Sequence, residues 1–304
     1  MKARYLFSSA LVTLVLLCAP SCQRSPASPK KSIVVTYSVL GSIVKELVGD
    51  KATVTVSIPN GLDPHEWEPS ARDIEAINKA DLVIENGLGL EGGMEKTLQT
   101  ARNNGVKFFT ASEHVAIRHV GQGEGIPTGD PDQVTGAADP HFWMSPAAMK
   151  SVVAALAPEL MNALNLDARS QASNLEQRLD DLNKEIADMM APIPQDNRKL
   201  VTGHESMGYF AQLYGFKLVG VIIPSLSTQA SASAADLAAI KQAIRDNNVK
   251  AIFTELGTSP SLARAIGDET GARVVELTTH ALPGDGSYFT FLRNVASVIA
   301  DALE

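Results

Sequence analysis

Hydrophobic and polar positions follow two periods along most of the chain. Short runs of β-branched and aliphatic residues, typical of buried strands, alternate with segments whose apolar residues recur at three- and four-residue spacing, typical of amphipathic helices. In the first part of the chain this pattern predicts strands at 32–36, 52–58, 81–85 and 107–110, and helices at 39–48, 70–79 and 146–164. Strands that alternate with helices imply right-handed crossovers and a parallel sheet.

A long helix is predicted at 167–190. The segment contains no Gly or Pro, and four apolar residues recur at helical spacing among charges: Leu175, Leu179, Leu182 and Ile186. Two prolines follow, and a second series begins, with strands at 199–202, 217–223, 251–255 and 273–277 and helices at 207–214, 234–247, 261–270 and 288–303. The predicted fold class is therefore α/β: two α/β lobes with parallel sheets, joined by one long rigid helix.

These elements divide the chain into three parts after its N-terminal region. We predict an N-terminal lobe at 32–166, a linking helix at 167–192 and a C-terminal lobe at 193–304. Residues 121–138 are rich in Gly, Pro, Asp and Thr and predict a surface loop inside the first lobe.

The first 22 residues have the organisation of an export signal. Two basic residues precede a mostly apolar run, from Leu6 to Cys18, that is short for a bilayer span. Small residues then lead to Cys22 as in a bacterial lipobox, although Ala19 stands where a larger aliphatic residue is usual. We predict cleavage that leaves Cys22 lipidated, with 23–31 as a flexible tether. Signal cleavage without lipid is the alternative.

Charge and cysteine content narrow the function classes. The formal net charge is −8 and no block of Lys and Arg is present, which argues against a nucleic acid partner. Both cysteines lie in the signal region, so the mature chain has no disulfide framework. We expect a monomer held at a membrane by its lipid, facing the periplasm or the cell exterior.

Four of the six histidines lie beyond the ends of predicted strands: His65, His141, His204 and His280. Ligands of open α/β sheets bind beyond the carboxyl ends of strands, where imidazoles from distant parts of a chain can meet around one ion. His65 and His141 each end the tripeptide Asp-Pro-His, and a Trp follows two residues later in both copies. We predict these four histidines as metal ligands.

The remaining histidines, His114 and His119, lie near the predicted loop and match no strand end. They are assigned as solvated, with an accessory metal contact as the alternative.

Imidazole nitrogen suits Zn²⁺ and also copper, nickel and iron, whereas Mg²⁺ and Ca²⁺ prefer oxygen. Four protein ligands close a tetrahedral zinc site, while catalytic zinc keeps one position open for water. A zinc hydrolase is therefore the alternative to a binding protein, with Glu205 or Glu66 as the general base.

Several motifs spread over the mature chain carry a family resemblance: Asp63-Pro64-His65 with Glu68-Pro69, Asp139-Pro140-His141-Phe142-Trp143, Thr202-Gly203-His204 running into Gly208-Tyr209-Phe210, Ser227-Thr228-Gln229-Ala230-Ser231, Ile252-Phe253-Thr254-Glu255 and Ser287-Tyr288. The chain resembles the zinc/manganese solute-binding lipoproteins of bacterial ABC importers, the TroA-like or ZnuA-like family. The resemblance implies two lobes with a metal site in the cleft between them, an ABC permease as partner, and no enzymatic activity.

By position, the resemblance implies His65, His141 and His204 as metal ligands. The third position holds a histidine, as it does in the zinc-type members of the family. The family normally has a carboxylate at the fourth position, where this chain has His280. Either His280 binds the metal, which we favour, or Asp285 or Glu276 replaces it. The resulting hypothesis is capture of Zn²⁺ for a permease, with Mn²⁺ or Fe²⁺ less favoured; an adhesin on the same scaffold is a further alternative.

Overall fold

The computed structural model describes residues 30–121, residue 124 and residues 135–304. The predicted signal peptide, Cys22, nearly all of the predicted tether and most of the predicted loop at 121–138 lie outside the described residues. In the described part of the chain, no helix is both long enough and apolar enough to cross a bilayer.

Eight strands and nine α-helices make up the described part of the chain. The strands are β1 (Lys31–Tyr37), β2 (Ala52–Ile58), β3 (Leu82–Glu85), β4 (Phe108–Thr110), β5 (Lys199–Thr202), β6 (Lys217–Val221), β7 (Ala251–Thr254) and β8 (Arg273–Glu276). The helices are α1 (Ser38–Val48), α2 (Ala71–Asn78), α3 (Glu95–Asn103), α4 (Pro146–Leu164), α5 (Arg169–Met190), α6 (Gly208–Tyr214), α7 (Ala234–Asp246), α8 (Pro260–Thr270) and α9 (Tyr288–Leu303).

The first lobe, which comprises the elements before α5, is built on a parallel sheet of order β2-β1-β3-β4. Strand β1 lies inside this sheet, and its apolar residues from Ile33 onwards are buried on both faces. A continuous apolar run is what a strand covered on both faces requires. Strand β2 forms one edge, and its middle part alternates between more and less exposed residues.

The second lobe, which comprises the elements after α5, contains two parallel strand pairs. Strand β5 pairs with β6, and β7 pairs with β8. Strands β5 and β7 lie next to each other, and Glu255, just beyond β7, accepts from the backbone N–H of Gly203, just beyond β5, so the carboxyl ends of the two strand pairs meet on one side. The two lobes with parallel sheets agree with the predicted fold class.

Helix α5 spans 22 residues, about 33 Å at 1.5 Å per residue. Its apolar stripe is buried, including all four residues that predicted the helix. The stripe packs against α4, α9 and α1. Asn165 ends α4 in the left-handed conformation, with a φ of 58°, and turns the chain into the start of α5. The long helix is thus held on its sides as well as at its ends; the lobe boundaries at 32–166, 167–192 and 193–304 stay a prediction.

Helix α3 has no counterpart in the sequence-based assignment. It is mostly polar, and only Leu98 and Ala101 are buried, so a single apolar pair at helical spacing marks it. The other helices and all eight strands lie within a few residues of their predicted positions.

A buried carboxylate connects the ends of β1 and β3. Glu91 accepts hydrogen bonds from Thr36 Oγ1 at 2.7 Å, from Asn86 N–H at 2.6 Å and from Gly87 N–H at 3.2 Å. Asn86 in turn donates its amide to the carbonyl of Pro140, at 3.0 Å. Burial raises the pKa of Glu91 to about 7, against the effect of these donors.

The apolar stripe of α5 gives a stability prediction. Leu182 is fully buried, so Leu182→Ala removes packing atoms and leaves a cavity, and we expect it to lower the free energy of unfolding by about 2–5 kcal/mol. Leu213→Ala is the matched control because Leu213 is 39% exposed on α6, and we expect it to cost at most about 1 kcal/mol. Urea unfolding measures both; equal losses would contradict the packing described for α5.

The raised pKa of Glu91 gives a pH prediction. The folded state holds this proton more tightly than the unfolded state, so the stabilisation is complete below pH 4.5 and is lost as pH rises through about 7. Relative to Glu91→Gln, we expect the free energy of unfolding of the wild type to fall by up to about 1.4 kcal/mol per pH unit in this range. Urea unfolding at several pH values tests this, with exposed Glu95→Gln as control; parallel curves for wild type and Glu91→Gln would exclude it.

Candidate metal centre

The structure brings together the four histidines that the sequence singled out. His65 and His141 come from the first lobe and His204 and His280 from the second, and each is at most 3% exposed. One ring nitrogen of each lies within 4.8 Å of the corresponding atoms of the other three. In the described part of the chain, this is the one group of three or more His, Cys, Asp or Glu residues with the geometry of a metal site.

In three of the rings, the atoms that face each other are Nε2 nitrogens. His141 Nε2 lies 3.4 Å from His65 Nε2 and 3.3 Å from His204 Nε2, and His280 Nε2 is buried without a hydrogen-bond partner. A tetrahedral zinc with Zn–N bonds of about 2.0–2.1 Å holds its ligand atoms about 3.3–3.4 Å apart. The observed spacing therefore fits one small cation shared by the rings.

His141 is oriented by the acid of its own tripeptide. Asp139 Oδ1 accepts from the backbone N–H of His141 and from its Nδ1, both at 2.9 Å. A hydrogen on Nδ1 leaves the Nε2 lone pair for a metal. The other oxygen of Asp139 contacts the guanidinium of Arg118, at 3.2 Å, so this carboxylate is shared between a ring and a cation.

Contacts between the lobes surround the same carboxylate. The Arg118 backbone N–H donates to the hydroxyl of Tyr209, on α6, at 2.8 Å, and this hydroxyl lies 3.3 Å from the carbonyl oxygen of Asp139. Gly208 precedes Tyr209, and a Cβ there would lie 2.4 Å from Asp139 Oδ2 and 2.5 Å from Arg118. Glycine is thus required for the first and second lobes to approach this closely.

His65 is held differently although it ends the same tripeptide. Asp63 Oδ1 accepts from the His65 backbone N–H at 3.0 Å, the turn that Asp139 also makes. The side chain of Gln229, from the second lobe, donates to the carbonyl of His65. The shared tripeptide therefore fixes the same backbone turn twice, while only Asp139 also holds the ring.

His204 lies just beyond β5, behind a tightly packed glycine. Glu255, at the end of β7, accepts from the backbone N–H of Gly203 at 3.0 Å and of His204 at 3.4 Å. A Cβ on Gly203 would lie 2.0 Å from the hydroxyl of Thr258, so only glycine allows this approach. His204 Nδ1 lies 3.6 Å from Glu255 Oε2.

His280 lies beyond β8, and its Nδ1 is 2.8 Å from the hydroxyl of Thr279. This hydroxyl also donates to Glu255 Oε2 at 2.5 Å. Burial raises the pKa of Glu255, while the hydroxyls of Ser206 and Thr279 act to lower it. One carboxylate thus lies behind both histidines of the second lobe.

Trp143 packs its indole against two of the histidines. Its ring centroid is 5.1 Å from that of His141 and 5.4 Å from that of His280, and its Nε1 donates to the carbonyl of Thr279 at 3.0 Å. The second Trp of the repeated pattern, Trp67, is half-buried at the edge of the first lobe's core. The two Trp residues are therefore equivalent in sequence but not in position.

Burial favours the neutral form of three of the clustered rings, those of His65, His204 and His280. Removal from water lowers the pKa of His65 to about 3, with a smaller contribution from His141. The same cause, followed by the neighbouring imidazoles, holds the pKa of His204 and of His280 well below the ordinary histidine range. Neutral imidazole is the form that binds metal.

The other candidates lie elsewhere. Asp285 is exposed and accepts hydrogen bonds from Ser287 N–H and Thr290 Oγ1 at the start of α9. Glu276 is exposed on β8, on the wall of an open cavity beside His280. His114 stacks on Phe109, with 4.6 Å between ring centroids, and His119 pairs with Ala138 in an isolated bridge. None of these four belongs to the cluster.

One expectation about the loops differs from the structure, and two residues of the site had no predicted role. His141 does not follow a strand of the sheet; it precedes a 3₁₀ helix at Phe142–Met144, and the Asx turn of Asp139 rather than a strand end positions it. The sequence analysis assigned no role to Glu255 or Thr279. Glu255 directly follows the buried strand β7, and a carboxylate at such a position was a signal that could have identified it.

Neither of the general bases named for a hydrolase belongs to the group of converging ligand atoms. Glu66 is exposed, and Glu205 is buried with its backbone N–H bonded to the carbonyl of Ser225 at 3.0 Å. Four converging nitrogens also leave no ligand position for water in a tetrahedral site. The arrangement suits retention of an ion rather than turnover.

Comparison with known proteins gives consistent matches over the whole described fold. The family "Zinc-uptake complex component A periplasmic" matches residues 33–302. The high-affinity zinc uptake system protein ZnuA of Bacillus subtilis is 27% identical, covering 89% of this chain and 86% of its own length. The manganese-binding lipoprotein MntA of Halalkalibacterium halodurans is 24% identical, covering 92% and 91%.

The solved structures agree on the fold. The periplasmic zinc binding protein TroA from Treponema pallidum superposes with a TM-score of 0.76 at 24% identity, covering 90% of this chain and 99% of that one. The members of the matched family are substrate-binding proteins of metal ABC transporters and not enzymes. The hydrolase alternative is therefore set aside. With a match over residues 33–302, the chain belongs to the family of periplasmic zinc-uptake components.

Proposed function

We propose that this protein captures Zn²⁺ outside the membrane, through His65, His141, His204 and His280, and delivers it to an ABC permease. The observation that carries the proposal is the Nε2 spacing of 3.3 and 3.4 Å, which matches the ligand spacing of tetrahedral zinc.

The donor set supports zinc over manganese. Four neutral imidazoles bring no oxygen donor, and Mn²⁺ benefits from carboxylate and water ligands. The names of the similar proteins include both metals, zinc for ZnuA and manganese for MntA. The residue at position 280 distinguishes the zinc alternative from the manganese alternative, because a histidine there makes all four ligand atoms nitrogen.

Burial of the site bears on uptake and release. All four rings are at most 3% exposed, so an ion cannot leave without displacement of the segments around them. Contacts between the lobes cover the site: Asn60 exchanges two hydrogen bonds with the backbone of Leu282, and Trp143 bonds to Thr279. Release to a permease therefore requires that the lobes or their loops separate.

The site of action follows from the predicted N-terminus. A lipid on Cys22 would hold the protein at the membrane surface on the outer side, close to its permease. The expected state is a monomer, since one chain supplies all four donor side chains.

The ligand assignment is tested by single substitutions. We expect His65→Ala, His204→Ala and His280→Ala each to weaken zinc binding by more than about 100-fold, since each removes a direct bond where even an indirect partner is worth 10–100-fold. Competition with a chelator measures the dissociation constants. His114→Ala is the control and should bind as wild type does; undiminished affinity in any of the three ligand variants would remove that residue from the set.

The metal preference is tested at position 280. We expect the wild type to bind Zn²⁺ more tightly than Mn²⁺, and His280→Asp to narrow the difference, because the carboxylate adds an oxygen donor and a negative charge. Titrations of both proteins with both metals give the ratio of dissociation constants. A ratio that favours manganese in the wild type would overturn the zinc assignment and leave transition-metal capture standing.

A further inference from the structure

Glu255 is a hub of the second lobe's half of the site. Its carboxylate accepts four hydrogen bonds, from two backbone N–H groups at Oε1 and from two hydroxyls at Oε2. The hydroxyls are Ser206 Oγ and Thr279 Oγ1, both at 2.5 Å. Four groups that can donate therefore converge on this one carboxylate, an arrangement that favours its role as an acceptor.

The direction of these hydrogen bonds fixes a tautomer. Thr279 Oγ1 donates its one hydrogen to Glu255 Oε2. Toward the His280 ring, this oxygen can therefore only accept a hydrogen bond. His280 Nδ1, at 2.8 Å from this oxygen, must then carry the hydrogen. The lone pair of His280 is left on Nε2, which is buried without a hydrogen-bond partner.

The same carboxylate is placed to serve His204. Its Oε2 is 3.6 Å from His204 Nδ1, a nitrogen without a hydrogen-bond partner. A small approach of the ring toward Oε2 converts this contact into a hydrogen bond, again with the hydrogen on Nδ1 and the lone pair on Nε2. Glu255 therefore has one direct and one relayed route to the two histidines.

The charge of Glu255 is not used elsewhere. In the first lobe, Asp139 is paired with the guanidinium of Arg118. Among the ion pairs of the described residues, Glu255 has only His204 as partner, and no Lys or Arg. A divalent cation held by four neutral rings keeps its full charge. The buried carboxylate of Glu255, which lies beside His204 and is separated from His280 by the Thr279 hydroxyl, compensates part of that charge.

We infer that Glu255, acting through the hydroxyl of Thr279, is a positioning residue for metal capture: it sets the tautomer of His280 and supplies the negative charge that an all-imidazole set lacks. The inference rests on the proposed binding of zinc by these histidines. Neither residue touches the ion.

The test removes the relay with the smallest change in shape. Thr279→Val replaces the hydroxyl by a methyl group and leaves the backbone carbonyl that Trp143 uses. We expect zinc affinity to fall by about 10–100-fold, the usual effect of removing a partner of a metal-bound histidine. Thr279→Ser keeps the hydroxyl and should restore affinity close to that of the wild type, and Glu255→Gln should weaken binding at least as much as Thr279→Val.

Controls separate positioning from general damage. Thr278→Val makes the same change at the exposed neighbour and should have no effect. In a His280→Ala background, Thr279→Val should cost little more, because the ring it positions is absent. An equal loss in both backgrounds would show that Thr279 acts on stability alone.

A measurement on the unaltered protein completes the test and does not depend on any variant folding. Long-range ¹H–¹⁵N NMR of the zinc-loaded protein should find the hydrogen of His280 on Nδ1. A hydrogen on Nε2, or wild-type affinity in Thr279→Val, would overturn the inference while zinc binding itself stood. If the wild type bound no zinc, the proposed function would fail first.

Discussion

The structure depends on the meeting of imidazole nitrogens in a space closed to water. The Nε2 nitrogens lie 3.3–3.4 Å apart, and burial removes them from water. In the proposed zinc complex, each ring would direct the lone pair of its Nε2 nitrogen at one cation with two positive charges. The lobes, the loops beyond the strands and the glycines at 203 and 208 all serve to bring these nitrogens into register.

Behind the rings, the two lobes use different chemistry. In the first lobe a carboxylate, Asp139, contacts His141 directly and shares its charge with Arg118. In the second lobe Glu255 has no basic partner among the described residues and reaches His280 through a hydroxyl. The donor atoms on both sides are the same, but the carboxylate behind His141 is paired with a guanidinium and the one behind His204 and His280 is not.

Much of the fold could be predicted from the sequence, because strands buried on both faces and the apolar stripe of α5 leave strong hydrophobic patterns. The histidines could be found because they lie beyond such strands, although His141 is placed by an Asx turn and not by a strand. Helix α3 buries only two side chains and leaves almost no pattern. The role of Glu255 depends on hydrogen bonds between residues 24 and more positions apart, and no local pattern records such contacts. The two Trp residues differ for the same reason.

The junction of Arg118, Tyr209 and Asp139 links closure to cargo. The residue whose side chain orients His141 also offers its carbonyl to a phenol of the opposite lobe. If the ion favours the closed form by some factor, then closure must favour the ion by the same factor, since linkage is reciprocal. A transporter that held the lobes apart would therefore need no chelating group of its own to release the metal. Breaking the contact between the Tyr209 hydroxyl and the Arg118 backbone would by itself lower the affinity for the ion.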